Sequence, residues 1–218
     1  MLRAAAQILA PARNAHVLTK TLAGLCEISA DKTDLVFRSL RTALQKEGER
    51  CVPGKVELTK IETSLRAVLG RVEDWPLAKL GHRKVQEALE RSFRRCQKAF
   101  CQSLKTSDSS SFHAWRKRVK DLEYHLCLFE MAWRKKAARA WKQIKRLDDY
   151  LGEDHDLALL SEKLRRFKLE SSELRDGSRK IAEQISKRRL NLQRCATKAA
   201  RKLLRQRPAF FVSRNLDL

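Results

Sequence analysis

The chain has 218 residues, enough for one large domain or two small ones with a hydrophobic core. Lys and Arg number 48 against 26 Asp and Glu, a formal net charge of +22 that opposes compaction by self-repulsion and calls for an anionic partner. Hydrophobic residues at 43%, recurring with helical spacing, argue against disorder, and no apolar run approaches the roughly 20 residues of a membrane span.

The first 26 residues hold no acid, and Arg3, Arg13 and Lys20 sit among alanines and leucines. This segment reads as a basic amphipathic helix over about 2–24, in preference to a transit peptide of similar composition. Helices follow over about 31–47 and 55–73, separated by GERCVPGK (48–55), and over about 82–104 after a turn from Trp75-Pro76 to Gly81. The serine run KTSDSSS (105–111) ends that helix and starts the next, with Ser111 or a neighbour positioned to cap orphan N–H groups. Helices over about 111–133, 136–168 and 178–206 complete the chain, the last preceded by the polar break SSELRDGS (171–178). With 7 Gly, 4 Pro and almost no β-branched alternation, long helices and short polar connections predict an all-α bundle. Six cysteines, Cys26, Cys51, Cys96, Cys101, Cys127 and Cys195, lie mostly in apolar stripes without zinc spacing, so they read as buried thiols of a reducing compartment.

FHAWRKRVKDLEYHLCLFEMAW (112–133) is the most informative segment. At about 100° per residue, His113, Arg116, Lys117, Lys120 and Tyr124 share one side, and Trp115, Val119, Leu122, Leu126 and Phe129 share the other. The second stripe is a core face. The first is a row of donors, with Asp121 and Glu123 only at its flanks. An ordinary solvated face mixes signs at i,i+4; this one does not, and it suits repeated tetrahedral anions, Arg as a fork and Lys as a point charge.

A second polar line runs through WKQIKRLDDYLGEDHDLALL (141–160), with Lys145, Asp149, Gly152 and Asp156 on one side and Trp141, Ile144, Leu147 and Leu151 on the other. Gly152 leaves room for close approach of another helix, and a carboxylate such as Asp156 can brace a neighbouring cation. His155-Asp156 also fits the metal pair of an HD phosphohydrolase, but the further His and Asp ligands such a site needs are missing. ILAPARNAHVL (8–18) superposes on YLGEDHDLALL (150–160) at an offset of 142 residues, matching Leu9 to Leu151, Arg13 to His155 and Asn14 to Asp156; Arg3 falls on Lys145. This suggests an internal repeat.

HAWRKRVKDLEYHLCLF (113–129) followed by LDDYLGEDHDLALL (147–160) resembles the second half of a CHAD domain, the conserved histidine α-helical domain. ARKLLRQRPAFF (200–211) resembles its closing helix and Pro-aromatic end, and LAPARNAHVLTKTLAGL (9–25) its first half, with Asn14 where Asp is usual. The resemblance implies two repeated four-helix halves, 1–104 and 105–218, around a basic central groove or channel that binds inorganic polyphosphate. It also implies His113, Arg116, Lys117, Lys120 and Tyr124 as ligand-side residues, with Arg13, Arg3 and Lys145 as weaker candidates. The family's first basic helix falls before Met1, so the first half is expected to be incomplete and the groove open, a shape that a homodimer could close.

The expected function is therefore non-catalytic polyphosphate binding, without cofactor or metal, in the cytoplasm and in association with polyphosphate granules. The competing class is a basic helical nucleic-acid binder, which shares the salt dependence. Aromatic residues are only 6%, and Trp115, Phe129, Trp133 and Trp141 take core-like positions, leaving little on which bases could stack. A triphosphate hydrolase would need the strands and ExExK signature of the catalytic domains to which CHAD domains are often joined, and neither occurs in this sequence.

Overall fold

The computed structural model describes residues 2–28, 35–76, 81–132, 134–167 and 172–215. Among them the chain forms eight α-helices and no strand: α1 (Leu2–Ile28), α2 (Leu35–Arg50), α3 (Lys55–Glu73), α4 (His82–Thr106), α5 (Ser109–Ala132), α6 (Arg134–Arg166), α7 (Ser172–Leu203) and α8 (Pro208–Asn215). The all-α expectation holds. The side chains of Phe129 and Trp133 lie outside the described residues.

The chain divides into two compact units interleaved along the sequence, residues 1–77 with 159–186, and residues 78–158 with 187–218. The first unit packs α1 on α2 and α3. Ala15, Leu18, Leu22 and Leu25 form the buried stripe of α1, and Val36, Phe37, Leu40 and Leu44 that of α2. Gly48 lies where a Cβ would come within 3.4 Å of the Ala15 methyl, so it is the absent side chain that lets the two helices close. Helix α2 continues through Gly48 to Arg50, a little past the end expected at about 47. In α3 only Ile61 is buried, while Leu58, Leu65 and Leu69 face outward.

The second unit holds the larger core, built from Leu89, Phe93, Cys96 and Phe100 of α4, Trp115, Val119, Leu122 and Leu126 of α5, Ile144, Leu147 and Leu151 of α6, and Ala196, Ala200 and Leu203 of α7. Phe211 of α8 stacks on Phe93, with centroids 4.2 Å apart. Pro208 opens α8 at the first helical position, where its missing N–H costs nothing; no separate helix was expected beyond about 206.

Three local expectations are corrected. The cap of α5 is Asp108, whose Oδ1 accepts from the Ser111 backbone N–H and the Ser110 hydroxyl, both at 2.7 Å, and these bonds hold its carboxyl down to about 2. Asp has the geometry of Ser at this position with a charge added. Helix α7 begins at Ser172, not near 178, because an isolated Gly177 is too weak a breaker beside the i,i+3 pair of Asp176 and Arg179. Of the cysteines only Cys96 is buried, with its thiol pushed up to about 12 by that burial; Cys101 is exposed and the rest are half-buried.

Phe93→Ala should cost about 3–5 kcal/mol in denaturant unfolding, from lost burial and the cavity left against Phe211. Leu69→Ala, on the outward face of α3, should cost less than about 0.5 kcal/mol. Similar losses in the two variants would contradict the described burial.

Candidate functional site

The buried stripe of Trp115, Val119, Leu122 and Leu126 fixes the rotation of α5. His113, Arg116 and Lys120 are thereby set half-buried along the opposite line, with Lys117 and Tyr124 exposed. Helix α6 presents a matching line. The His155 ring stacks on His113 with centroids 4.3 Å apart and planes inclined by 26°. One turn earlier, a Cβ on Gly152 would stand 3.7 Å from both Nε and Nη2 of Arg116, so this glycine is the floor on which the guanidinium lies. A Cβ there would meet the guanidinium in ordinary van der Waals contact.

Carboxylates brace the cations. Lys120 Nζ lies 3.4 Å from Asp148 Oδ2, donates to the Tyr124 hydroxyl at 3.4 Å, and sits 5.1 Å from that ring's centre. Lys145 pairs with Asp149 one turn along α6, and this bond raises its pKa. Glu123 is buried beside this group, and burial, then the neighbouring Asp148, pushes its carboxyl upward. Arg189 of α7 donates from Nε to the buried Asp154 at 2.9 Å and from Nη2 to the Ser109 hydroxyl at 2.9 Å. Gln193 adds a bond to the same Asp154 oxygen at 3.0 Å, and Arg188 pairs with Glu153 at 2.7 Å.

The imidazoles are held neutral. Burial lowers His113, assisted by Lys117 and Arg116. Burial also pushes His155 down to about 4, with His113, Arg116, Lys117 and Arg189 adding to the effect. His113 Nδ1 and Arg116 Nε, both buried, have no hydrogen-bond partner among the described residues. Groups of this kind normally find one; Asp148 Oδ1, an acceptor of the same cluster, is likewise buried and unpartnered among the described residues. No group of three or more metal-ligating side chains comes together among the described residues; His155 faces a second histidine and cations.

A family model, the CHAD domain, matches residues 1–165. The chain belongs to the CHAD domain family. No curated protein and no solved structure matches it. The CHAD domain is a helical domain associated with polyphosphate binding and is not by itself a known catalytic family. In this CHAD protein no helix among the described residues is long and apolar enough to cross a membrane.

Of the residues named from sequence, His113, Arg116, Lys117, Lys120, Tyr124 and Lys145 lie on α5 and α6 in one compact unit, whereas Arg3 and Arg13 are exposed on α1 in the other. Sequence reasoning missed His155, Arg189, Asp148 and Asp154 as members of the cluster. For His155 a signal existed: the 142-residue offset that selected Arg13 points directly at it. Arg189 carried none, since its place depends on the 35-residue separation bridged by its bond to Asp154.

The pH dependence follows from the neutral imidazoles. An unfolded histidine takes up its proton near pH 6.5, His155 in the folded chain only near 4. Between these values the unfolded chain binds more protons, so this contribution to stability is intact above about 6.5 and lost as pH falls toward 4. His155→Gln should flatten the fall in unfolding free energy between pH 6.5 and 4.5; an unchanged slope would place the titration elsewhere.

Proposed function

We propose that this CHAD protein binds inorganic polyphosphate without hydrolysing it, through His113, Arg116, Lys117, Lys120, Tyr124 and Lys145, joined by His155 and Arg189. The observation that carries the reading is the α5–α6 juxtaposition: stacked imidazoles, a guanidinium laid over Gly152 and two unpartnered buried nitrogens, with cations from α7 beside them.

An extended phosphate chain replaces the counterions of this row, and the released ions supply much of the affinity. Arg116 offers its fork to phosphate oxygens, while Lys120 and Lys145 exchange carboxylate partners for phosphate ones. Phosphate charge beside the imidazoles favours their protonated form, so binding takes up protons and tightens as pH falls from 7 toward 5. Hydrolysis is not part of the proposal, because the carboxylates of the cluster hold lysines and arginines and leave no arrangement for a metal ion.

The remaining parts of the reading are proposals on the same footing. The halves 1–104 and 105–218 form a repeat, with Arg3 and Arg13 supplying the weaker contacts of the first around a basic groove. A homodimer is supported by the outward Leu58, Leu65 and Leu69 of α3 and is testable by mass in solution. A cytoplasmic location at polyphosphate granules follows from the ligand.

Arg116→Ala combined with Lys120→Ala should weaken binding of long-chain polyphosphate by about 10-fold or more near physiological salt, with helix content unchanged. Calorimetry in buffers of different ionisation enthalpy should show proton uptake that disappears in His113→Ala/His155→Ala. Unchanged affinity in the Arg116/Lys120 variant would remove the assignment.

A further inference from the structure

A second cationic surface lies on α4 and α7, and its sequence signature is the absence of acids. From Arg91 to Ser107 the chain has five Lys and Arg and no Asp or Glu; from Gln184 to Leu216 it has ten and again none. The whole of the second stretch lies beyond the residues matched by the CHAD family model. The N-terminal half of α4 behaves as a solvated helix should, mixing signs in the pairs Arg83–Glu87, Arg91–Glu87 and Arg94–Glu90. Its C-terminal half abandons that pattern.

The cations of both helices stand opposite their buried faces. In α4 the buried stripe is Leu89, Phe93, Cys96 and Phe100, and Arg91, Arg95, Lys98 and Lys105 occupy the reverse, a row about 21 Å long. In α7 the buried stripe is Leu192, Ala196, Ala200 and Leu203, and Lys187, Arg194, Lys198, Arg201 and Arg205 run along the reverse for about 27 Å. The two helices lie antiparallel: Gln97 donates to the Leu204 and Gln206 carbonyls at 2.7 and 2.9 Å, while Arg189 reaches Ser109, just beyond the end of α4.

Between the two rows runs a groove of about 530 Å³ lined by Gln97, Phe100, Cys101, Arg201, Leu204 and Arg205. Arg91, Arg94, Arg95 and Lys98 enclose a further hollow of about 180 Å³ on α4. Among the described residues Arg95, Lys98, Arg201 and Arg205 meet no carboxylate. On α8, Phe210 is 54% exposed, between Arg207 and Arg214 in the chain.

We infer that the α4–α7 groove is a second binding site, separate from the His113–His155 cluster, and that its ligand is single-stranded nucleic acid. Both candidate polyanions satisfy the arginine rows, but only one makes use of the rest. Phosphate chains have no group to set on an exposed phenyl ring such as Phe210 or beside the exposed Cys101; unpaired bases do, and stacking is where sequence-tolerant affinity for single strands comes from. Guanidinium predominates over ammonium along the groove, which suits both phosphodiester forks and the faces of bases. The low aromatic content weighs against many stacking contacts, not against one at Phe210.

The test is fluorescence anisotropy of a labelled 20-nucleotide oligo-U and, separately, labelled long-chain polyphosphate, with the full chain at fixed salt. Arg201→Gln/Arg205→Gln should weaken the oligonucleotide by about 10-fold and lower its log–log salt slope by about 1.4, two phosphate contacts for a single strand. Arg66→Gln/Arg71→Gln on α3 makes the same change in net charge and should move neither value. Phe210→Ala should weaken the oligonucleotide by roughly fivefold and leave polyphosphate unchanged. Equal losses in the two arginine pairs would reduce the groove to a long-range field. An oligonucleotide indifferent to Phe210→Ala would overturn the nucleic-acid assignment. Since the oligonucleotide is read independently, failure of polyphosphate binding leaves this result interpretable.

Discussion

The burial of one stripe, Trp115, Val119, Leu122 and Leu126, sets the geometry of the α5–α6 cluster. Each such side chain is worth roughly 1.5–3 kcal/mol when removed from water, and together they fix α5 at one rotation. That rotation forces His113, Arg116 and Lys120 onto a single line facing α6, where like charges repel. The apolar face supplies the free energy that the cationic face opposes. A chain with net charge +22 cannot gather cations in one place without such a core beneath them.

The cluster is also held below its full charge. Asp148, Asp149 and Asp154 take up Lys120, Lys145 and Arg189, and both imidazoles stay neutral at physiological pH. Burying Asp148 and Asp154 is costly, and only their cationic partners make it tolerable. In return the bound arginine and lysine side chains lose less conformational freedom when a ligand arrives. In the proposed reading an incoming polyanion competes for the lysines, charges the imidazoles, and meets Arg116 already oriented over Gly152. Along the outward rows of α4 and α7 only Arg91 pairs with a carboxylate, Glu87, among the described residues.

Much of this was legible in the sequence because helices are periodic. The two faces of α5 followed from 100° steps alone, and Gly152 signalled a close approach whose occupant, Arg116, only the fold identifies. Elements that depend on one residue were less legible: Asp108 replaced serine as the cap, Gly177 failed to break α7, and Pro208 started a further helix beyond the last one expected. Half-exposed cysteines escaped because an apolar neighbourhood in sequence does not guarantee depth. Arg189 and its buried Asp154 escaped for a different reason. Their pairing joins helices far apart in sequence, and neither residue stands out within its own helix.

The most direct test of the central claim is NMR of the imidazole Cε1–H resonances of His113 and His155 during titration with long-chain polyphosphate at pH 6.5. Orthophosphate at equal total phosphate serves as the comparison. Both resonances should move toward the protonated position with polyphosphate and stay in place with orthophosphate, since a row of donors rewards a linked chain. Saturable polyphosphate binding that leaves both imidazoles unmoved would contradict the account and put the site elsewhere on the basic surface.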